Sequence, residues 1–404
     1  MIKIRKKGFS QNLRKFLKVI NNMLIEIRGV GFVNKGAELM LHAILEKIKS
    51  RFPKARFVMA PSLNVSPYEK RAELSLYQKV TYEKLGLDLG DFFVSLVPKK
   101  RRKMYGLVRQ KEVDIVLDAA GFAHGDQWGV KNTKKLFKFS QKLKRNNAKL
   151  ILLPQAFGPF EKREIKETMK ELLRNCDLVF AREEVSFNYL TSFTSQKNIF
   201  NMPDFTNLVK AKEVEDFDFE KNDFCIIPNY KMVSKSWINS SDNNYIKLIS
   251  ESIKYLREKG KNPFILVHEG KKDFVLAEEI ANKVGGINIF KEEDPLKVKG
   301  IIKQSHGVIG SRFHSLVSSL SQATPALGTS WSHKYQMLFK DYDFEEGILT
   351  LDSSVDDIRR KVDILIDENS KEKLVLKLEN KSKYLKELSN QMWEKVFKEI
   401  ETKA

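Results

Sequence analysis

Residues 113–119, Val-Asp-Ile-Val-Leu-Asp-Ala, form an apolar run of strand length, and the chain returns to the pattern at 149–154 (Lys-Leu-Ile-Leu-Leu-Pro) and 178–181 (Leu-Val-Phe-Ala). Segments 131–146 and 161–174, which separate these runs, carry apolar residues at helical spacing. Apolar strands alternating with helices of this kind read as a mainly parallel sheet covered on both faces. Working upstream, the spacing predicts a strand at 23–30, a helix at 35–51 with Leu39, Leu41, Ile44, Leu45 and Ile48 on one stripe, a strand at 56–60 and a helix at 69–85. Downstream, residues 209–223 are acidic and poor in core periodicity, and they read as a linker. Beyond them the alternation restarts, with strands at 224–228, 263–268, 287–290, 307–309 and 326–327 and helices between them. A long charged helix over 370–403 follows. The economical architecture is α/β, with two Rossmann-like domains at 21–208 and 224–369 facing a central cleft. A basic extension (1–20), the linker (209–223) and the C-terminal helix (370–404) complete it.

Composition narrows the function classes. With 42% hydrophobic and 31% charged residues over 404 positions, the chain buries a sizeable core and is not disordered. The two cysteines, Cys176 and Cys225, exclude a disulfide framework and a cysteine zinc site. The net charge of +20 suits phosphorylated small molecules, anionic membrane or nucleic acid, although lysines scattered along the whole chain also give such an excess. No apolar run reaches the roughly 18–20 residues of a membrane span, and the N-terminus lacks the apolar stretch of a signal peptide. The expected location is cytoplasmic. Residues 1–20 hold Lys3, Arg5, Lys6, Lys7, Arg14, Lys15 and Lys18 with Phe9, Leu13, Phe16, Leu17 and Ile20 at helical spacing. Such a helix either packs on the first domain or lies peripherally on the inner face of an anionic membrane.

In doubly wound folds ligands sit beyond the carboxyl ends of strands, so those positions carry the candidate chemistry. After the first strand, Gly29, Gly31 and Gly36 permit close backbone approach at a helix start, with Asn34 and Glu38 beside them. Asp118-Ala-Ala-Gly-Phe-Ala-His-Gly-Asp-Gln-Trp-Gly129 follows a buried strand and offers Asp118, His124 and Asp126, each of which could instead brace a loop. Gln155, in Pro154-Gln-Ala-Phe-Gly-Pro-Phe160, is a hydrogen-bonding candidate. Arg182, in Ala181-Arg-Glu-Glu-Val-Ser186, offers a fork for a carboxylate or phosphate, with a bridge to Glu183 or Glu184 as the bland alternative. The strongest signal is Gly310-Ser-Arg-Phe-His314. There an apolar strand runs into a helix whose first turn carries Arg312 and His314, and an anion suits that dipole end. Ser330, Ser332, His333 and Lys334 follow the next strand. None of the six histidines sits in a metal-ligand spacing, and no GxSxG elbow is present.

These motifs, in their order, resemble the polysaccharide pyruvyl transferase family. The likeness rests on Gly29-x-Gly-Phe-Val-Asn-Lys-Gly-Ala-Glu38, Pro154-Gln-Ala-Phe-Gly-Pro-Phe160, Ala181-Arg-Glu-Glu-x-Ser186, Pro203-Asp-Phe205, Ser311-Arg-Phe-His314 and Gly328-Thr-Ser-Trp-Ser-x-Lys-Tyr335. It spans about residues 25–345. The resemblance implies a GT-B-like fold and transfer of pyruvate from phosphoenolpyruvate to a sugar of a cell-surface or exported polysaccharide such as a capsule. The product would be a ketal, the acceptor a sugar or glycan that is free or lipid-linked, and no cofactor or metal is implied beyond the donor substrate. By the same correspondence Arg312 and His314 bind and protonate the donor, Arg182 is a donor-binding arginine of the facing domain and Asp118 a catalytic carboxylate. The residues themselves add Ser311, Ser330 and Lys334 as donor-binding candidates, and Asn34, Glu38, His124, Asp126 and Gln155 as acceptor-side or cleft-lining ones. The sequence departs from the family pattern at Ala119-Ala-Gly121, which stands where a glycine triplet is usual, and at Ala37, where an acid is common. Two other readings compete: a GT-B glycosyltransferase using a nucleotide sugar, and a non-catalytic glycan-assembly protein. Nucleic-acid binding ranks last, because no recognition motif accompanies the charge.

Overall fold

The computed structural model describes residues 23–84, 87–235, 243–330 and 332–403. The basic extension at 1–20 and Trp331 therefore lie outside the described residues. The chain divides into two compact units: residues 1–32, 40–203 and 390–404 form the first, and residues 33–39 and 204–389 the second.

The first unit is built on strands β1 (Leu24–Arg28), β2 (Arg56–Met59), β3 (Tyr77–Lys79), β6 (Leu107–Val108), β7 (Ile115–Asp118), β8 (Phe122–His124), β9 (Lys149–Phe157), β10 (Leu178–Ala181) and β11 (Ile199–Asn201). A separate antiparallel hairpin joins β4 (Glu83–Lys84) to β5 (Leu87–Asp88). The nine-stranded sheet runs β11-β10-β9-β7-β1-β2-β3-β6, with β8 beside β9. Its pairings are parallel, as the near-continuous apolar strands require. Strand order reverses between β1 and β7, and Gly29 at the end of β1 has φ +76°. A Cβ there would stand 2.4 Å from the amide nitrogen of Ala120, so only glycine lets these two strand ends meet.

The second unit has strands β12 (Phe224–Ile227), β13 (Pro263–Val267), β14 (Ile289–Lys291), β15 (Gly307–Gly310), β16 (Ala326–Thr329) and β17 (Ile348–Leu349). Their order, β14-β13-β12-β15-β16-β17, is the 3-2-1-4-5-6 order of the dinucleotide-type doubly wound sheet. Two α/β units were expected, and two are found.

Three local expectations differ from the structure. The helix expected at 69–85 stops at Glu73, and Tyr77–Lys79 instead pairs with β2 and β6 as sheet. The segment read as a linker, 209–223, belongs to the second unit. Among its acids, Phe217 reaches Phe264 and Phe290, with ring centroids 5.1 and 4.8 Å away. The C-terminal helix, Glu368–Glu401, is shared: its residues from Asn390 onward join the first unit, where Trp393 stacks on Phe397 and Phe397 meets Phe52 edge-on. Among the described residues no helix is long and apolar enough to cross a membrane.

One buried ion pair ties the first sheet together. Glu26, fully buried in β1, accepts from the Lys79 ammonium of β3 at 2.9 and 3.0 Å and from Arg28 at 3.1 Å. Burial pushes its carboxyl up, but the Lys79 and Arg28 charges outweigh this and hold it below the usual range. Removing Lys79 leaves a buried charge uncompensated. Lys79→Met is expected to cost about 3–5 kcal/mol in denaturant unfolding of the first unit, and Glu26→Leu/Lys79→Met to recover most of that loss. Equal stability of the wild type and the single variant would show that the pair does not hold the sheet.

Candidate active site

In the second unit the strand order reverses between β12 and β15, which opens a crevice at their carboxyl ends. β15 runs through Ser311 into the helix Phe313–Leu320, with Arg312 at its N-cap and His314 in its first turn. The small, fully buried residues that follow (Ser315, Ser318, Ser319) let this helix lie close on the sheet.

His314 is held from two sides. Asp204 places Oδ2 3.5 Å from its Nε2, while Oδ1 of the same carboxylate accepts from the Thr206 amide at 3.0 Å and the Thr206 hydroxyl at 2.5 Å. The Thr206 carbonyl in turn accepts from the ammonium of Lys299, which is 1% exposed, at 2.9 Å. Lys299, Thr206 and Asp204 are thus linked by hydrogen bonds, and the Asp204 carboxylate stands at ion-pair distance behind the imidazole. On the other side a Cβ at Gly36 would lie 2.3 Å from Nδ1, so glycine at 36 is what lets the helix start approach that edge of the ring so closely.

Arg312 stands where the sequence places it, but its guanidinium is already engaged. It forks onto Asp273 (Nε–Oδ2 2.9 Å, Nη2–Oδ1 2.5 Å) and donates a further bond to Glu269. Burial pushes Arg312 down to about 10 and the Asp273 carboxyl up to about 7, while their bidentate pairing favours the charged form of both. The Glu269 side chain retains 27% exposure and is the looser partner. Lys35 is bound in the same way, to Glu38 at 3.0 Å and to the carbonyl of Glu293 at 2.6 Å. Asn34 caps the helix Lys35–Arg51, accepting from the amides of Gly36 and Ala37. Carboxylates outnumber cations here, although the elbow reads from its sequence as a place for an anion.

His268, at the end of β13, is buried with Nδ1 lacking a hydrogen-bond partner. Burial first, then the charges of Arg312, His314 and Lys35, push it well below its usual range, so it is a neutral imidazole. Ser311 is not available to a ligand: its hydroxyl bonds Tyr245 Oη and Thr329 Oγ1, both at 2.7 Å, in a fully buried brace. Ser330 donates to the carbonyl of Ser332, and Lys334 lies over the Phe313 ring at 5.2 Å.

The first unit assembles its own cluster at the carboxyl ends of three neighbouring strands, β7, β9 and β10. Gln155 reaches Asp118 at 3.5 Å, and the Arg182 amide donates to the Gln155 carbonyl at 3.0 Å. The Gln155 Oε1 is buried and lacks a partner. His124 and Asp126 do structural work instead. His124 is buried, bonds Thr133 at 3.0 Å and is kept neutral by burial. Asp126 accepts from the amides of Glu161 and Lys162 and braces the start of the helix Arg163–Leu173.

Sequence reading missed Asp204, Lys299, Glu269, Asp273 and His268. Asp204 was visible in Pro203-Asp-Phe205, one of the motifs behind the family resemblance, but it was given no role there. Its role depends on a contact across more than a hundred residues. Among the described residues no group of three or more His, Cys, Asp or Glu is placed to hold a metal ion.

Two units, each wound on a parallel sheet, define a GT-B-like fold. Solved structures share it: UDP-GlcNAc 2-epimerase from Neisseria meningitidis bound to UDP-GlcNAc (TM-score 0.56, 12% identity, covering 91% of this chain and 99% of that one) and UDP-GlcNAc 2-epimerase from Methanocaldococcus jannaschii (TM-score 0.55, 10% identity, 86% and 93%). No curated protein matches the chain in sequence. The chain belongs to the polysaccharide pyruvyl transferase family, whose sequence profile matches residues 34–333.

Two outcomes test this geometry. Gly36→Ala favours the helix by about 1 kcal/mol in propensity yet places a methyl on the imidazole. It is expected to break the Asp204–His314 contact in a crystal structure and to alter the His314 titration in NMR, and an unmoved ring would refute the close approach. Burial also lowers Lys299 from 10.5 to about 7, so between these values the unfolded chain binds the proton more tightly. Stability of the second unit should therefore rise with pH across that window and be insensitive to this group below it. Lys299→Met should remove that rise, measured as denaturant midpoints against pH, and an unchanged slope would refute it.

Proposed function

We propose that the chain transfers the pyruvyl group of phosphoenolpyruvate to a sugar of a cell-surface or exported polysaccharide, closing a ketal across two hydroxyls and releasing phosphate. The observation that carries this reading is the Asp204–His314 pair at the end of β15, in a chain of the pyruvyl transferase family.

Protonated His314 gives its proton to the methylene carbon of the donor, which becomes a methyl group. Asp204, 3.5 Å from Nε2, and the helix start at Gly36, against Nδ1, hold the ring between them. Positive charge develops at the adjacent carbon, where a first sugar hydroxyl attacks. The carbon–oxygen bond to phosphate breaks, and a second hydroxyl closes the ring. Of the two hydroxyl protons released, one leaves with phosphate and the other restores the imidazolium. Asp118 is the base we assign to a hydroxyl, and Arg182 a donor-binding role, both by correspondence with the family.

The donor is an anion with carboxylate and phosphate groups, so it must replace a carboxylate that Arg312 already holds. Glu269, the more exposed partner, is the one to leave, while Asp273 keeps the guanidinium aligned. His268, neutral and with Nδ1 unpartnered, adds a hydrogen-bonding group without adding charge.

The test is calorimetric binding of phosphoenolpyruvate, followed by phosphate release with a panel of glycan acceptors. Arg312→Ala should abolish donor binding. His314→Gln should keep donor affinity within a few-fold but lower turnover by about 10²–10⁴, and normal turnover in this variant would end the proposal. The neighbours' fold leaves a nucleotide-sugar reaction as the competitor. Binding of UDP-N-acetylglucosamine without binding of phosphoenolpyruvate would favour that reaction.

A further inference from the structure

Between β3 and β6, at one edge of the first sheet, the chain makes an excursion that ends in two short helices, Gly90–Leu96 and Lys99–Met104. Their inward anchors are few. Val94 is buried, Arg102 is buried and forks onto Glu112 at 2.5 and 3.0 Å, and Asp91 accepts from the amide of Gln110 at 2.6 Å. What remains faces water and is of an unusual kind. Phe92, Phe93, Leu96, Met104 and Tyr105 are all exposed, Leu96 at 67% and Met104 at 72%. Phe93 packs edge-on against Tyr82 at 5.5 Å and against Phe92 at 5.6 Å, so the aromatic rings form one raised cluster rather than scattered side chains. Lys99, Lys100, Arg101 and Lys103, all exposed, follow directly on Leu96-Val-Pro98. From residue 89 to residue 106 one acid, Asp91, stands against five basic residues.

A soluble surface rarely keeps adjoining large apolar groups in water. An apolar protein partner would account for the rings and leucine but not for four adjacent cations. Nucleic acid would account for the cations but not for Leu96 and Met104. An anionic lipid surface uses both, since aromatic and aliphatic side chains enter at headgroup depth while lysine and arginine meet the phosphates. We infer that residues 89–105, with Tyr82, form a docking surface of the first unit for an anionic phospholipid bilayer. This inference does not rest on the proposed reaction, and it is separate from the basic stretch at 1–20. It would bring the first unit to a surface from which a lipid-linked glycan can be taken.

The experiment is co-sedimentation of the full chain with vesicles of phosphatidylglycerol and phosphatidylcholine, beside vesicles of phosphatidylcholine alone. The expected result is binding to the mixed vesicles that weakens with added salt. Two variants are compared in the same chain: Phe92→Ser/Phe93→Ser/Leu96→Ser and Lys99→Ser/Lys100→Ser/Arg101→Ser/Lys103→Ser. Each should lower the partition coefficient about tenfold or more. The substituted side chains are exposed, so thermal unfolding should be unchanged. If one variant fails to fold, the other carries the test. Absence of wild-type binding would overturn the inference. So would variants that bind as the wild type does, with residues 1–20 then carrying the attachment. Light scattering adds a further arm: a wild-type dimer that the apolar variant converts to monomer without loss of vesicle binding would assign the patch to a second copy of the chain and overturn the inference.

Discussion

A parallel strand cannot be left by a tight turn. Each crossover returns the chain to the same end of the sheet, so the carboxyl ends of all strands in a unit open on one edge. Where strand order reverses, neighbouring connections leave to opposite faces and a crevice remains. This constraint places the chemistry of both units. In the first it gathers Asp118, Gln155 and Arg182 from three adjacent strands. In the second it gathers His268 after β13, Asn229 after β12 and the Ser311–His314 elbow after β15, with Asn229 donating to the Ser311 carbonyl at 2.9 Å. Chain positions separated by tens of residues meet because the sheet leaves them no other exit.

Burial then decides how charge is held at that edge. Arg312, Lys35 and Lys299 are each withdrawn from water, and each is matched within the second unit: a carboxylate fork and Glu269 for Arg312, Glu38 and a carbonyl for Lys35, and a carbonyl for Lys299. Buried cations are tolerated on these terms. The same pairing makes the site less open to anions than its residue types suggest, and it divides the partners into a rigid set and an exchangeable one. Asp273, wholly buried, accepts from the Tyr230 amide as well as from Arg312, whereas Glu269 keeps partial access to water.

The sequence made the strands and the elbow legible because their signals are local. Apolar runs of four to nine residues appear as β7, β9, β10, β12, β13 and β15, and Arg312 and His314 were found from a strand-to-helix junction alone. The errors came where tertiary contact overrides local pattern. Pro154 looked like the end of a strand, yet β9 continues to Phe157. The pairing with β10 slips between Leu152 and Gln155, so the proline falls at an irregularity where its missing amide is tolerated. Tyr77–Lys79 looked helical because three residues are too few to show a period. The acidic stretch at 209–223 concealed Phe217 and Phe219. Ser311 has the right residue type in the right place for a ligand, and only the positions of Tyr245 and Thr329 show its hydroxyl to be already satisfied. Lys299 and His268 carried no local signature at all, and Asp204 stood in a short motif that by itself gave it no role.

The shared C-terminal helix has a consequence for the order in which the chain becomes whole. The second unit is nearly continuous in sequence, whereas the first is closed by residues that follow it. Phe52 finds its ring partner in Phe397, and Lys149 pairs with Glu399, so part of the first unit's packing waits on segments synthesised after the second unit's last strand. During synthesis the earlier unit therefore stays incomplete until residues 390–404 are made, a departure from the usual N-to-C progression in which each domain is finished before the next begins.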